Sequence, residues 1–457
     1  MDDRTSPPAG DPDGGVYFPY RRETLDNGLE VILHEDRSTP VVAVHLMYHV
    51  GSKDERPGRT GFAHLFEHLL FQGSENVPKG EHFRLVQNAG GTLNGSTWFD
   101  RTNYFEILPS NQLDLALWLE SDRMGHFLPS ITQEKLDNQR GVVKNERRQA
   151  YENRPYGLAF EEALHAAFDE GHPYRHPTIG YMEDLDAADL GDVRDFFRDY
   201  YGPNNATLVL AGDFDADDAL DRVERYFGPF EARETPPPVE VPEVEAPGER
   251  RAELTDQVAV PRVYLMYHAP SYRDDAFEAA DVLTSLLADG KSSRLHRELV
   301  YERQVAAEAQ AFTWPTEETG MVWAVVTARP GVSADRLEEA TRSVLDEARE
   351  EGFSEDEAAG ARHRAERSLV GQLNSVGGRA DAFAHAAVLR DEPGYVNEVF
   401  ERYDRVGREE VDRLAREVLR PERLTVTRVV PESDEVPADD EEVETPAVAG
   451  RPGGSQA

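Results

Sequence analysis

The sequence predicts an α+β protein built as two similar halves, and three observations carry that expectation. The segment 44–52 (VHLMYHVGS) recurs as 263–271 (VYLMYHAPS), and 64–74 (HLFEHLLFQGS) lines up with 281–291 (DVLTSLLADGK) at nearly the same offset. Each copy then spans roughly 200 residues, a length that one domain fills. Within each copy, helical and alternating strand periods are mixed.

Composition places the boundaries. Residues 1–15 carry no periodic pattern and read as a disordered N-terminus, so the first domain is expected at 16–231. The stretch 232–250 (ARETPPPVEVPEVEAPGER) combines a proline run with charge and reads as an extended connector that spaces the halves apart. The second domain follows at 251–431. Residues 432–457 are acidic and poor in large apolar residues, the signature of a disordered tail. No positive, apolar leader and no stretch of about 20 apolar residues is seen, which leads to an expectation of a cytoplasmic protein without a membrane partner.

Charge excludes one class of function. The chain has 88 acidic and 49 basic residues, a net charge of −39, and only five of the basic residues are lysines (Lys53, Lys79, Lys135, Lys144 and Lys291). A polyanion does not neutralise phosphates, so no nucleic-acid partner is expected. Dense acidity with little lysine fits a halophile, because at molar salt the screening length falls to about 3 Å and self-repulsion is suppressed. If the acidity reaches the substrate site, it favours basic or neutral peptides. Cysteine is absent, which removes disulfides and thiolate chemistry.

The chemistry concentrates in 61–73 (GFAHLFEHLLFQG). His64 and His68 are four apart, so on a helix both imidazoles face one side about one turn apart. Glu67 projects beside them. Ala63, Leu65, Phe66, Leu69, Leu70 and Phe71 leave almost no other polar face, so the helix is expected to be buried, and a metal would account for its buried polar groups. The spacing is HxxEH, the inverted form of the common zinc-protease motif.

Two histidines leave a catalytic zinc site one protein ligand short. The segment 130–153 (SITQEKLDNQRGVVKNERRQAYEN) reads as an amphipathic helix with Val142 and Val143 inward, and it offers Glu134, Asp137, Glu146 and Glu152. Its pattern alone does not choose among them.

HxxEH followed 78 residues later by Glu146 in VVKNERRQ resembles the pitrilysin or insulinase family of inverzincin metallopeptidases. Segments 90–108 (GGTLNGSTWFDRTNYFEIL) and 200–214 (YYGPNNATLVLAGDF) resemble further family strands, and the likeness runs from about Tyr17 to Val430. The resemblance implies that each half is a mostly antiparallel sheet covered by helices, together forming half of a clam-shell chamber. It implies one Zn2+ per chain held by His64, His68 and Glu146, with Glu67 as general base in peptide hydrolysis. Gln139, seven residues before Glu146, stands where members often carry a glutamate behind the ligands. Asn94 with its neighbours Gly95, Ser96 and Thr97 corresponds to the strand edge that receives an extended peptide. On residue pattern alone, the lesser alternative is that Gly95 and Ser96 mark only a bend or bulge.

In the second copy Asp281, Thr284 and Ser285 replace the motif residues, so only the first half is expected to bind metal in this way. Self-sufficient members of the family also carry an Arg and a Tyr seven residues apart after an SSRL helix. Here Val300 and Ala307 occupy those positions, while Arg294 and Tyr301 share the spacing in another register. The chain thus resembles the zinc-bearing, processing-peptidase beta-like subunit, which implies a heterodimer with a homologous Arg/Tyr-bearing partner; a homodimer is the alternative. The leading reading is a zinc endopeptidase subunit, set against a noncatalytic scaffold subunit and a metal-binding module.

Overall fold

The repeated segments VHLMYH and VYLMYH become the central strands of two sheets with the same topology. The computed structural model describes residues 16–432, apart from 243 and 245–247. Of the end segments expected to be disordered, 1–15 lies outside the described residues, as does 432–457 apart from Glu432.

The first half runs β1 (Arg21–Thr24), β2 (Glu30–Glu35), β3 (Val41–Tyr48), α1 (Phe62–Leu70), α2 (Glu81–Asn88), β4 (Thr92–Thr97), β5 (Thr102–Pro109), α3 (Leu113–His126), α4 (Gln133–Arg147), α5 (Ala159–Ala167), α6 (Met182–Ala187), α7 (Leu190–Tyr200), β6 (Ala206–Gly212) and α8 (Ala216–Phe227). The second runs β7 (Arg250–Asp256), β8 (Arg262–Ala269), α9 (Phe277–Ala288), β9 (Ala306–Trp314), β10 (Gly320–Ala328), α10 (Ala334–Glu351), α11 (Glu355–Leu373), α12 (Val376–Arg390), α13 (Tyr395–Arg405), α14 (Arg408–Val418) and β11 (Leu424–Pro431).

The first sheet has the order β1-β2-β6-β3-β5-β4 and the second β7-β11-β8-β10-β9. Without β1 the two orders superpose strand for strand. Each sheet is antiparallel apart from one parallel pair, β2 with β6 and β7 with β11. Strands β3, β6 and β8 are apolar runs buried on both faces, whereas the edge strand β7 alternates exposed and half-buried residues.

The helices covering the sheets are exchanged between halves. Helix α12 of the second half lies on β3 and β6, where Phe383, Ala384 and Ala387 share a core with Ile32, Ala43, Met47 and Val209. Its counterpart α5 of the first half lies on β7, β8 and β11, with Ala159, Ala163 and Leu164 packed against Tyr264, Met266 and Trp323. The expectation that the connector spaces the halves apart is therefore wrong. Its prolines do keep it extended, without helix or strand among its described residues before Arg250, yet it lies along the protein. The Arg233 guanidinium donates to the carbonyls of Phe197 (2.8 Å) and Met124 (3.1 Å), and Val241 and Val244 pack on the core beneath α5.

A buried ion network also crosses the boundary. Lys53 donates to Asp100 (3.1 Å) and Glu317; Glu317 is also met by Arg273 and by His49 (2.8 Å). Asp100 accepts from the Tyr174 hydroxyl (2.6 Å) and the Glu317 backbone (3.0 Å). Asp100 lies in the turn between β4 and β5, so the second half grips that hairpin. Among the described residues no helix is long and apolar enough to cross a membrane.

Candidate active site and metal centre

Helix α1 begins where Gly61 takes φ +84°, and a Cβ there would lie 2.5 Å from the Ile179 carbonyl oxygen. No side chain at the N-cap position satisfies the first turn. Instead the buried Glu55 carboxylate accepts the backbone N–H groups of Gly61 and Ala63, each at 2.8 Å, and bonds His176 Nε2 at 2.9 Å. A carboxylate at this end also complements the helix dipole. Phe62, Ala63, Leu65, Phe66, Leu69 and Leu70 are buried, which turns His64, Glu67 and His68 together to the open side.

Helix α4 presents Glu146 to the same place. Leu136, Gln139 and Val143 face the core at helical spacing, and Arg147 closes the row. Val142, expected inward, is 41% exposed. Adjacent helical residues diverge by about 100°, so only one of the two valines can lie on the buried stripe. Arg147 anchors the helix end through the Gly180 carbonyl (2.8 Å) and a two-pronged pair with Glu161 (2.9 and 3.0 Å).

His68 Nε2 lies 3.3 Å and His64 Nε2 3.8 Å from the two Glu146 oxygens. One ligand atom from each residue falls within 4.8 Å of the others. A tetrahedral zinc ion with ligands near 2.0–2.2 Å spaces them about 3.3–3.5 Å apart. The donor set, two imidazole nitrogens and one carboxylate, therefore fits zinc in both chemistry and span. Burial, then the neighbouring His68, push His64 down to about 4; at His68 the opposing effect of burial is outweighed by Glu146, which holds its value up. The His68 bond holds Glu146 below the usual range. Gln139 is buried, its amide donates to Asn138 Oδ1 (2.8 Å), and it lies close enough to His68 to help hold that group's value up.

Glu67 accepts a 2.7 Å hydrogen bond from the Thr97 hydroxyl. Burial pushes its carboxyl up, against the Thr97 bond and the nearby His68 and Arg101 charges. Thr97 ends β4, which pairs with β5 alone and leaves its other edge free among the described residues. Gly95 sits where a Cβ would come within 3.2 Å of Glu67 Cγ and 3.1 Å of Phe71 Cε2, so its smallness serves the close passage of strand over helix. Asn94 is exposed at the edge, while the Ser96 hydroxyl bonds Asn103 (2.6 Å). Thr97 is thus turned to Glu67 and Ser96 to the sheet, and neither hydroxyl is free for a peptide.

The second half brings no such group together. Asp281 accepts from the Tyr403 hydroxyl at 2.8 Å, and Thr284 donates to the Asp281 carbonyl. Arg294 is committed to Glu357 (2.7 and 3.0 Å), and Tyr301 is exposed against His296. Val300 is half-buried and Ala307 exposed. Sequence reasoning missed Glu55, His176, Arg147 and Glu161; a carboxylate six residues before Gly61 is the one local signal. It also missed a second buried group, His82, Glu106 and Glu120, in which Arg123 sits over the Tyr104 ring (4.2 Å) and pairs with both carboxylates. That guanidinium already supplies the cation.

Residues 30–181 match the family described as insulinase (peptidase family M16), and residues 187–365 match the description peptidase M16 inactive domain. The chain belongs to the M16 peptidase family. Its M16 relatives include the zinc protease PqqE of Helicobacter pylori, 29% identical over 83% of this chain and 86% of that protein. The mitochondrial-processing peptidase subunit beta of Caenorhabditis elegans is 24% identical over 67% of each chain. The crystal structure of a protease from Helicobacter pylori superposes with a TM-score of 0.86 at 27% identity, covering 91% of this chain and all of that one. In M16 terms, the half carrying HxxEH matches the peptidase description and the half without it the inactive one.

Proposed function

We propose that the chain is a zinc-dependent endopeptidase subunit acting on unfolded peptides. The observation that carries this reading is the convergence of His64, His68 and Glu146 beside a Glu67 held by Thr97. Zinc bound by those three ligands supplies a Lewis acid that polarises a carbonyl and acidifies water. Glu67, raised by burial and aimed by Thr97, is placed to take the proton of an attacking water and deliver it to the departing amine. Gln139 orients His68 from behind, the role such partners play at zinc sites. The free edge of β4, with Asn94 and Gly95, receives the substrate as an added strand, which gives affinity with little sequence preference.

The chain forms half of the chamber, and its full activity requires a homologous partner bearing the Arg and Tyr absent at Val300 and Ala307. Donors aimed at an oxyanion are worth roughly 10² to 10³ in rate. The relation to a processing-peptidase beta subunit supports the paired arrangement. One zinc per chain, high-salt adaptation and a cytoplasmic setting belong to the same reading. The noncatalytic scaffold is its competitor, favoured by the inactive-domain description of the second half.

The test is Glu67→Gln in the purified chain, in high salt, alone and with the homologue. Zinc retained at one per chain with cleavage lost supports the proposal; cleavage that survives, or none in the parent under any pairing, rejects it.

A further inference from the structure

At the turn between β4 and β5 a cavity of about 480 Å³ opens between the halves. Its walls are mostly apolar, among them Tyr272, Phe277, Leu369, Leu389 and Val399, and Trp98 stands at the hairpin end. One cation faces this space. Arg101 is half-buried, and its NH1 group donates to the Ser96 carbonyl (2.9 Å), the Ser96 hydroxyl (2.8 Å) and Asn103 Oδ1 (3.1 Å). Its Nε meets His385 Nε2 at 3.3 Å. These bonds leave NH2 without a partner, and Arg101 forms no ion pair among the described residues. Asp381, also on the cavity wall, is already engaged by His385 Nδ1 (3.2 Å) and Gln372 (3.4 Å).

A guanidinium that lines a cavity with no touching anion keeps its charge for a ligand, and its planar fork suits a carboxylate. We infer that this cavity binds a carboxylate-bearing apolar end of the peptide, with Arg101 receiving the carboxylate. The inference rests on the proposed peptidase reading for its substrate and for one geometric fact: the same guanidinium that holds the Ser96 carbonyl of β4 lines the cavity, so a peptide laid along β4 reaches it. The chain's overall acidity would favour basic peptides; Arg101 makes this subsite an exception.

Calorimetry with the zinc-loaded chain separates the cases. The probes are acetyl-Ala-Leu-Phe as free acid, the same peptide as its amide, acetyl-Ala-Leu-Glu amide, and Ala-Leu-Phe amide with a free ammonium. Charge-assisted bonds predict that the acid binds about tenfold or more tighter than its amide, and that Arg101→Gln brings the ratio close to one. Ala382→Phe narrows the cavity without touching an Arg101 bond and should weaken the acid similarly while the protein stays folded and zinc-loaded. The tighter of the two carboxylate probes tells a chain terminus from an acidic side chain, and either supports the site. Equal affinity for acid and amide, unchanged discrimination in Arg101→Gln, or tightest binding of the ammonium probe at Asp381 overturns it. Discrimination without cleavage would reject the peptidase reading and leave the cavity standing; cleavage without discrimination would do the reverse.

Discussion

Replacing Glu317 by Gln should destabilise the whole chain by about 3 kcal/mol, although Glu317 lies in the half without metal ligands. Two routes give that magnitude. The Glu317 side chain is 2% exposed and in contact with Lys53, Arg273 and His49, and removing one partner of a buried pair commonly costs about 3–5 kcal/mol. Here the low end applies, because Lys53 keeps Asp100 and Arg273 keeps Glu318. Independently, burial opposes ionisation of Glu317, yet the bonds and charges of His49 and Lys53 hold its folded value down at about 2, against an ordinary 4.5. At 1.36 kcal/mol per pH unit that difference is again roughly 3 kcal/mol. A carboxylate depressed on folding stabilises above its unfolded value, and the contribution is lost as pH falls from about 4.5 toward 2. Urea unfolding of parent and variant at fixed salt, followed by tryptophan fluorescence between pH 7 and pH 3, measures both. The parent should lose stability on acidification more steeply than Glu317→Gln, so the gap narrows as the pH drops. A loss below about 1 kcal/mol at neutral pH, or parallel acid limbs, would refute the reasoning.

Four further outcomes follow from the site. Thr97→Val should lower kcat about tenfold or more by releasing Glu67, with zinc content unchanged by metal analysis. Glu146→Gln should weaken zinc retention during dialysis against a chelator, and chelation should abolish cleavage in the parent. Arg147→Met should loosen the end of α4 and weaken zinc binding about 10- to 100-fold, read by competition with a fluorescent chelator. Arg294→Ala should leave the rate of the assembled enzyme unchanged in a peptide assay, since that side chain is committed to Glu357.

The proposed metal ligands were partly legible, because the spacing of two of them is local. His64, Glu67 and His68 are fixed by helical spacing alone, whereas Glu146 is one of four carboxylates in its segment and was singled out only by resemblance. The duplicated strands were legible as well, since buried β3 and β8 kept nearly the same apolar run. What the pattern could not carry were relations between distant segments. Val142 and Val143 look equivalent until the helix chooses Leu136, Gln139 and Val143 as its buried row. Thr97 looks like a substrate contact until its hydroxyl turns to a carboxylate thirty positions earlier. The proline-rich connector looks like a spacer because composition reports stiffness, and nothing in it reports that α5 and α12 change places.

That exchange bears on why a half without a metal site is part of the unit. The apolar face that α12 covers on β3 and β6 belongs to the half carrying HxxEH, and the face that α5 covers on β8 and β11 belongs to the other. Separating the halves would expose both faces, so neither is expected to be stable alone. The network at Lys53, Asp100 and Glu317 extends the same dependence to the turn that ends β4. Strand β4 holds Thr97, and Thr97 holds Glu67. The second half, which brings no such ligand group together among its described residues, therefore still helps to position Glu67, the proposed general base, in the first.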